Sequence, residues 1–146
     1  MQNFVSEKKK YFIEYPAHWT QVPASLFDIS IFAPSKNVKA PSSANMTIVS
    51  EGIENSVTLD EVYSDILAQF SKEDPKIQTG ESTIGGIASK WTLHTQAMFG
   101  LEIKVLQYII VAQNKKYLIA FSAVPSDFTD FQSEFETIAS SFRLNS

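Results

Sequence analysis

Apolar and polar positions along this chain follow two periods, and the period changes from segment to segment. Between residues 58 and 72, Leu59, Val62, Tyr63, Ile66, Leu67 and Phe70 recur at the three-to-four spacing of one helical face. Thr58 and Glu61 stand three apart at its start, the spacing of a capping box, and Pro75 ends the pattern. Asp60 and Glu61 suit the positive N-terminal end of such a helix, and Lys72 suits its C-terminal end. A second helix is expected after Pro125, with Ser126 as its cap and Phe128, Phe131, Phe135, Ile138, Ala139 and Phe142 as its apolar stripe. Aromatic residues at this spacing are core residues in the first instance.

The remaining segments read as strands. Tyr11–Tyr15 is the first, and Phe27–Phe32 the second, with Phe27, Ile29 and Ile31 alternating against Asp28 and Ser30. Asn45–Val49 is the third, after a loop over 33–43 that holds two prolines and two lysines. Gly85-Gly86 marks a two-residue hairpin turn, which pairs Ile84 with Ile87 and sets Glu81 opposite Lys90. A three-residue turn at Met98-Phe99-Gly100 follows, and its register places Lys104 across from His94. A turn at Asn114-Lys115 sets Ile110 against Ile119 and Tyr108 against Phe121.

The last two strands, Leu101–Ala112 and Tyr117–Val124, are almost continuously apolar, as expected of strands covered on both faces. Together these elements predict an α+β fold, an antiparallel sheet sandwiched between two amphipathic helices in an α/β/α arrangement. A length of 146 residues suits one domain over 1–146, with 1–10 as a loose lead-in to the first strand.

Composition narrows the function classes. Cysteine is absent, which removes disulfides, thiolate zinc sites and cysteine nucleophiles. A net charge of −4 argues against nucleic-acid binding, and the basic run Lys8-Lys9-Lys10 is short enough to be a solvated lead-in. No apolar stretch is long enough to span a bilayer, and no signal-peptide core follows Lys10.

Catalytic patterns are missing as well. There is no Gly-x-Ser-x-Gly elbow and no glycine-rich phosphate loop before a helix. His18 and His94 are the only histidines; Ser89 should face the opposite side of the sheet from His94. On the His94 face stand Lys90, Thr92 and Gln96, so His94 reads as a surface residue rather than a metal ligand. No catalytic, cofactor-binding or metal-binding residue is assigned, and no cofactor is expected. Met98 and Phe99 stand out as apolar residues at a hairpin tip: either Phe99 folds back over the sheet edge, or the tip is part of a partner-binding patch.

Several landmarks carry a resemblance. Tyr15-Pro16-Ala17-His18-Trp19 after a short strand resembles the Tyr-Pro-x-x-Trp opening of PsbP-like domains. Tyr117–Phe121, followed by Pro125, Phe135, Ile138 and Ser141-Phe142-Arg143, is similar to the ending of the same group, which includes Mog-type and DcrB-like proteins. The resemblance spans Tyr11 to Leu144 and implies the same sandwich, with a non-enzymatic accessory or assembly role through a protein partner. It also implies export and a lipid anchor on the precursor, against a cytoplasmic alternative. One departure is His18, where the family often has glycine, which puts the detail of that turn in question. Two further readings compete with partner binding. The first is a carrier of a small apolar ligand, in a pocket between sheet and helix lined by Trp91, Tyr63 and Phe70. The second is a hydrolase built on carboxylates.

Overall fold

In the computed structural model of the chain, the described residues are 2–6, 11–23, 26–34, 44–98 and 100–144. The Lys8-Lys9-Lys10 run and Phe99 lie outside them.

Seven strands form the main sheet: β3 (Thr20–Val22), β4 (Ile29–Phe32), β5 (Asn45–Gly52), β6 (Gln78–Ile84), β7 (Ile87–Met98), β8 (Leu101–Ala112) and β9 (Lys115–Ala123). Every neighbouring pair is antiparallel, in the order β3-β4-β5-β9-β8-β7-β6. A second, three-stranded sheet joins β1 (Gln2–Ser6), β2 (Tyr11–Tyr15) and β10 (Arg143–Leu144), with β2 in the middle. Residues 2–6, expected as part of a lead-in, therefore pair with β2, Phe4 opposite Ile13. Phe4 packs on the core and lies 5.9 Å from Tyr11, ring centre to ring centre, which supplies the apolar contact that holds the strand.

Helix α1 (Leu59–Ser71) and helix α2 (Pro125–Ser140) lie on opposite faces of the main sheet, so the α/β/α sandwich is present. Thr58 caps α1 as the spacing predicts: its hydroxyl accepts from the Glu61 backbone N–H at 3.2 Å. At α2 the cap differs from expectation. Val124 holds the N-cap position without a side-chain bond, Pro125 sits in the first turn, and Ser126 lies inside the helix. Proline suits that position because its missing N–H would be unpaired there in any case.

The core lies between the main sheet and α2. Ile29 and Ile31, Met46 and Ile48, then Tyr117, Ile119 and Phe121 point toward α2 from successive strands. Phe135 of α2 meets them, stacked on Phe121 at 4.9 Å and flanked by Phe128 at 5.2 Å. Trp19, 2% exposed, meets Phe131 and Phe135 edge-on. Its turn closes with a Trp19 N–H to Pro16 carbonyl bond of 3.0 Å, and His18 has no positive φ, so the turn does not require glycine.

Three turns decide the register. Gly85 and Gly86 take φ of +58° and +80°, with Ile84 opposite Ile87 and Glu81 opposite Lys90, as expected. The next turn is one residue shorter than expected, with Met98 paired to Leu101. The third turn is Gln113-Asn114, both with positive φ, and Tyr108 lies opposite Ile119 rather than Phe121. That second shift, by two residues, keeps every side chain on its expected face. The first, by one residue, does not: it places Val105 across from His94 and moves Lys104 opposite Thr95.

Candidate functional site

Helix α1 packs mainly on β7 and β8. Val105 through Ile110 of β8 are accordingly buried without interruption. Strand β9 alternates instead, with Tyr117, Ile119 and Phe121 buried beneath α2 and Leu118, Ala120 and Ser122 only half-covered. The expectation that both strands would be covered on both faces holds for β8 and fails for β9, because α1 is too short and too far toward β7 to shield it.

The uncovered part of that face is a groove of about 460 Å³. Its floor consists of Asn45 and Thr47 from β5, Ala120 and Ser122 from β9, and Ile103 and Val105 from β8. Asn45 and Ser122 tie the floor across the strands: the Ser122 hydroxyl donates to Asn45 Oδ1 at 3.1 Å, and Asn45 Nδ2 donates to the Ser122 carbonyl at 3.3 Å. Phe27 and Phe32 form one wall, Met98 and Leu101 the other. Among the described residues, none that lines the groove carries a charge.

Among the described residues, the exposed large hydrophobic side chains are Leu26, Phe27, Phe32, Met98 and Leu101. Four of the five line this groove, and Leu26 directly precedes Phe27. Met98 is 42% exposed, with the Gln96 side-chain amide 3.1 Å from its Sδ. Phe99, the other tip residue singled out from sequence, lies outside the described residues.

The sequence pattern pointed Phe27 toward the core with Ile29. In the structure the alternation breaks one residue earlier. Asp28 donates its backbone N–H to the Ile48 carbonyl at 2.7 Å, while its Oδ2 accepts from the Tyr11 hydroxyl at 3.0 Å and the Ser50 hydroxyl at 2.5 Å. With Asp28 and Ile29 both engaged on the core side, Phe27 is left 40% exposed, lining the groove on the opposite face with Phe32. Leu101 and Ile103 escaped notice for a related reason: a three-residue turn would have turned them toward α2. The signal that could have found them is the phase of Leu101, Ile103 and Val105 relative to Met98 under a two-residue turn.

His94 is not a surface residue. It is 2% exposed, buried under α1, its ring stacked on Phe70 at 4.1 Å and its Nε2 3.2 Å from Gln96 Oε1. Its Nδ1 and the Thr92 hydroxyl on the same face have no hydrogen-bond partner. The pocket expected from Trp91, Tyr63 and Phe70 does not form. Tyr63 and Phe70 belong to α1, whereas Trp91 faces α2 with its indole against Gly80.

Several carboxylates are tied into structural contacts. Asp74 accepts from the Thr95 backbone N–H at 2.9 Å and from the Lys76 N–H at 2.9 Å, and those two bonds hold its carboxyl below the usual range. Glu81 and Asp60 flank the Lys90 ammonium at 3.2 and 3.3 Å and raise its pKa. Lys116 and Glu51 pair at 3.3 Å. Among the described residues no three of His, Asp and Glu are grouped to hold a metal ion, and no helix is long and apolar enough to cross a membrane.

The architecture is that of the PsbP-like fold. CyanoP, the cyanobacterial PsbP of Synechocystis sp. PCC 6803, superimposes with a TM-score of 0.67 at 16% identity, over 98% of this chain and 91% of that one. LpqN of Mycobacterium tuberculosis, described as involved in cell envelope biogenesis, gives 0.70 at 12% identity over 99% and 91%. A Bacteroides thetaiotaomicron protein gives 0.71 at 13% identity, over 99% of this chain and 48% of that one. No protein-family model and no curated protein sequence matches this chain.

Proposed function

We propose that this protein is a non-enzymatic accessory or assembly protein that holds a protein partner in the groove beside α1. One observation carries the reading: the exposed large hydrophobic side chains among the described residues gather at one groove, whose described lining is uncharged, instead of being scattered. Singly exposed apolar residues need no explanation, but a contiguous patch marks an interaction site. Charge depletion at the centre of the patch is the compositional mark of a protein interface. Met98 and Phe99 belong to this reading as its partner-contacting tip, with Phe27, Phe32 and Leu101 added by the fold. The likeness to LpqN, described as involved in cell envelope biogenesis, supports a place at the cell envelope, and the export and lipid anchor implied by the PsbP-like resemblance are part of this proposal.

The test pairs affinity purification from the native cells with the double variant Phe27→Asp/Leu101→Asp. Both residues are exposed, so folding and thermal stability should stay close to those of the wild type. A stoichiometric partner that copurifies with the wild type and cross-links to a photoreactive residue at position 101 is expected to disappear from the variant. Retention of that partner by a folded variant would remove the groove from the interface.

A further inference from the structure

A second cavity lies on the other face of the sheet, between α2 and the β6–β8 edge, with a volume of about 400 Å³. Its origin is local. The α2-facing positions of β6 include Gly80 and Ser82, opposite Trp91 and Ser89, and residues this small leave a wedge of space beneath the helix. A Cβ on Gly80 would come within 2.4 Å of the Trp91 ring, so the indole occupies the room that glycine leaves. Trp91, Leu93, Leu106 and Tyr108 make the sheet side of the cavity, and Gln132 and Glu136 of α2 stand over it.

The lining has a definite electrostatic sign. Among the described residues, the charged members of the lining are Glu81 and Glu136, and Arg143 adjoins it with its guanidinium donating to the Ser140 carbonyl at 2.7 Å. Glu81 pairs with Lys90 at 3.2 Å, an ammonium it shares with Asp60. Glu136 enters no ion pair among the described residues, and its side chain is exposed at the mouth. The carboxylate is near enough to the Tyr108 phenol to add to burial in pushing that group up to about 12, which keeps the phenol neutral. An indole, a neutral phenol and one carboxylate outside any ion pair around a concave space are the elements that recognise a positively charged amine or quaternary ammonium group.

We infer that the cleft formed by Trp91, Tyr108 and Glu136 binds a small organic cation. The cation sits against the indole, its charge facing Glu136 and its alkyl part on Leu93 and Leu106. This site is separate from the groove beside α1 and does not depend on the role assigned to that groove.

The probe is choline, compared with its neutral isostere 3,3-dimethylbutan-1-ol, at low ionic strength. Binding is read from the indole N–H resonances of the two tryptophans, assigned with Trp91→Phe. Choline is expected to shift the Trp91 signal saturably at concentrations up to about 50 mM. Glu136→Gln, on the exposed face of α2, is expected to weaken binding about fivefold or more, and the neutral alcohol should bind weaker by a similar factor. Equal binding of choline and the alcohol would overturn the inference, since it would reveal an apolar cleft indifferent to charge. So would an unchanged affinity in folded Glu136→Gln, or no saturable shift at all.

Discussion

Raising the pH above 10 should unfold this protein through its buried tyrosines. Tyr11 and Tyr117 are fully buried and Tyr108 is 8% exposed. Burial, reinforced by the Asp28 carboxylate at Tyr11 and by Glu136 at Tyr108, raises the pKa of each phenol, that of Tyr108 to about 12. A phenol whose folded pKa is raised stays protonated in the native state while the unfolded chain ionises near pH 10. Its full contribution is therefore present below pH 10 and is lost as pH climbs beyond that. Each such group costs about 1.4 kcal/mol per pH unit. Tyr11 and Tyr108 together then remove about 2.7 kcal/mol per unit around pH 11, with Tyr117 adding to the slope.

Against a total stability of about 5–15 kcal/mol, that loss is decisive within a few units. The assay is urea unfolding followed by circular dichroism from pH 8 to 12, with tyrosine ionisation followed by absorbance at the same pH values. The midpoint should fall by roughly 1 M per unit above pH 10. Tyr11→Phe supplies the control. It should be destabilised by about 1–2 kcal/mol at pH 8, through loss of the 3.0 Å bond to Asp28, and should then lose stability with a slope shallower by about 1.4 kcal/mol per unit. Lysine titration is common to both proteins and cancels in that comparison. Ionisation of all five tyrosines near pH 10 in a still-folded protein would refute the reasoning, and so would equal slopes.

Two further outcomes can be checked by the same unfolding measurement. Phe135→Ala, which removes a fully buried ring packed on Phe121, Phe128 and Trp19, should cost about 3–5 kcal/mol. The double change Gln113→Asn and Asn114→Gly should stabilise by about 1 kcal/mol, because both positions have positive φ and that pair suits the turn better.

Much of this protein was determined by sequence alone, wherever one interaction type decides the outcome within a few residues. Thr58 and Glu61 fixed the start of α1, and the phenylalanine spacing marked the buried face of α2. Gly85-Gly86 set a correct register because two adjacent glycines leave few alternatives, and Glu81 opposite Lys90 agrees with it. The sandwich followed from those periods and from the largely apolar run of β8. At Met98-Phe99-Gly100 the local chemistry admits either a two- or a three-residue loop, and the choice rests on what β8 meets on each face. The shorter loop puts Leu106 and Tyr108 under α2 and places Lys104 over the Phe128 ring at 4.9 Å. It also sends Leu101 and Ile103 into the groove.

Tertiary packing decided the burial of His94 as well, since a polar strand position says nothing about the helix that will cover it. It likewise decided the exposure of Phe27, which depends on Asp28 reaching Tyr11 from seventeen residues away. Local periodicity therefore determined the elements and their order. The groove arises where α1 stops short of covering the sheet, and the cavity beneath α2 where Gly80 and Ser82 leave space under the helix; long-range packing sets both.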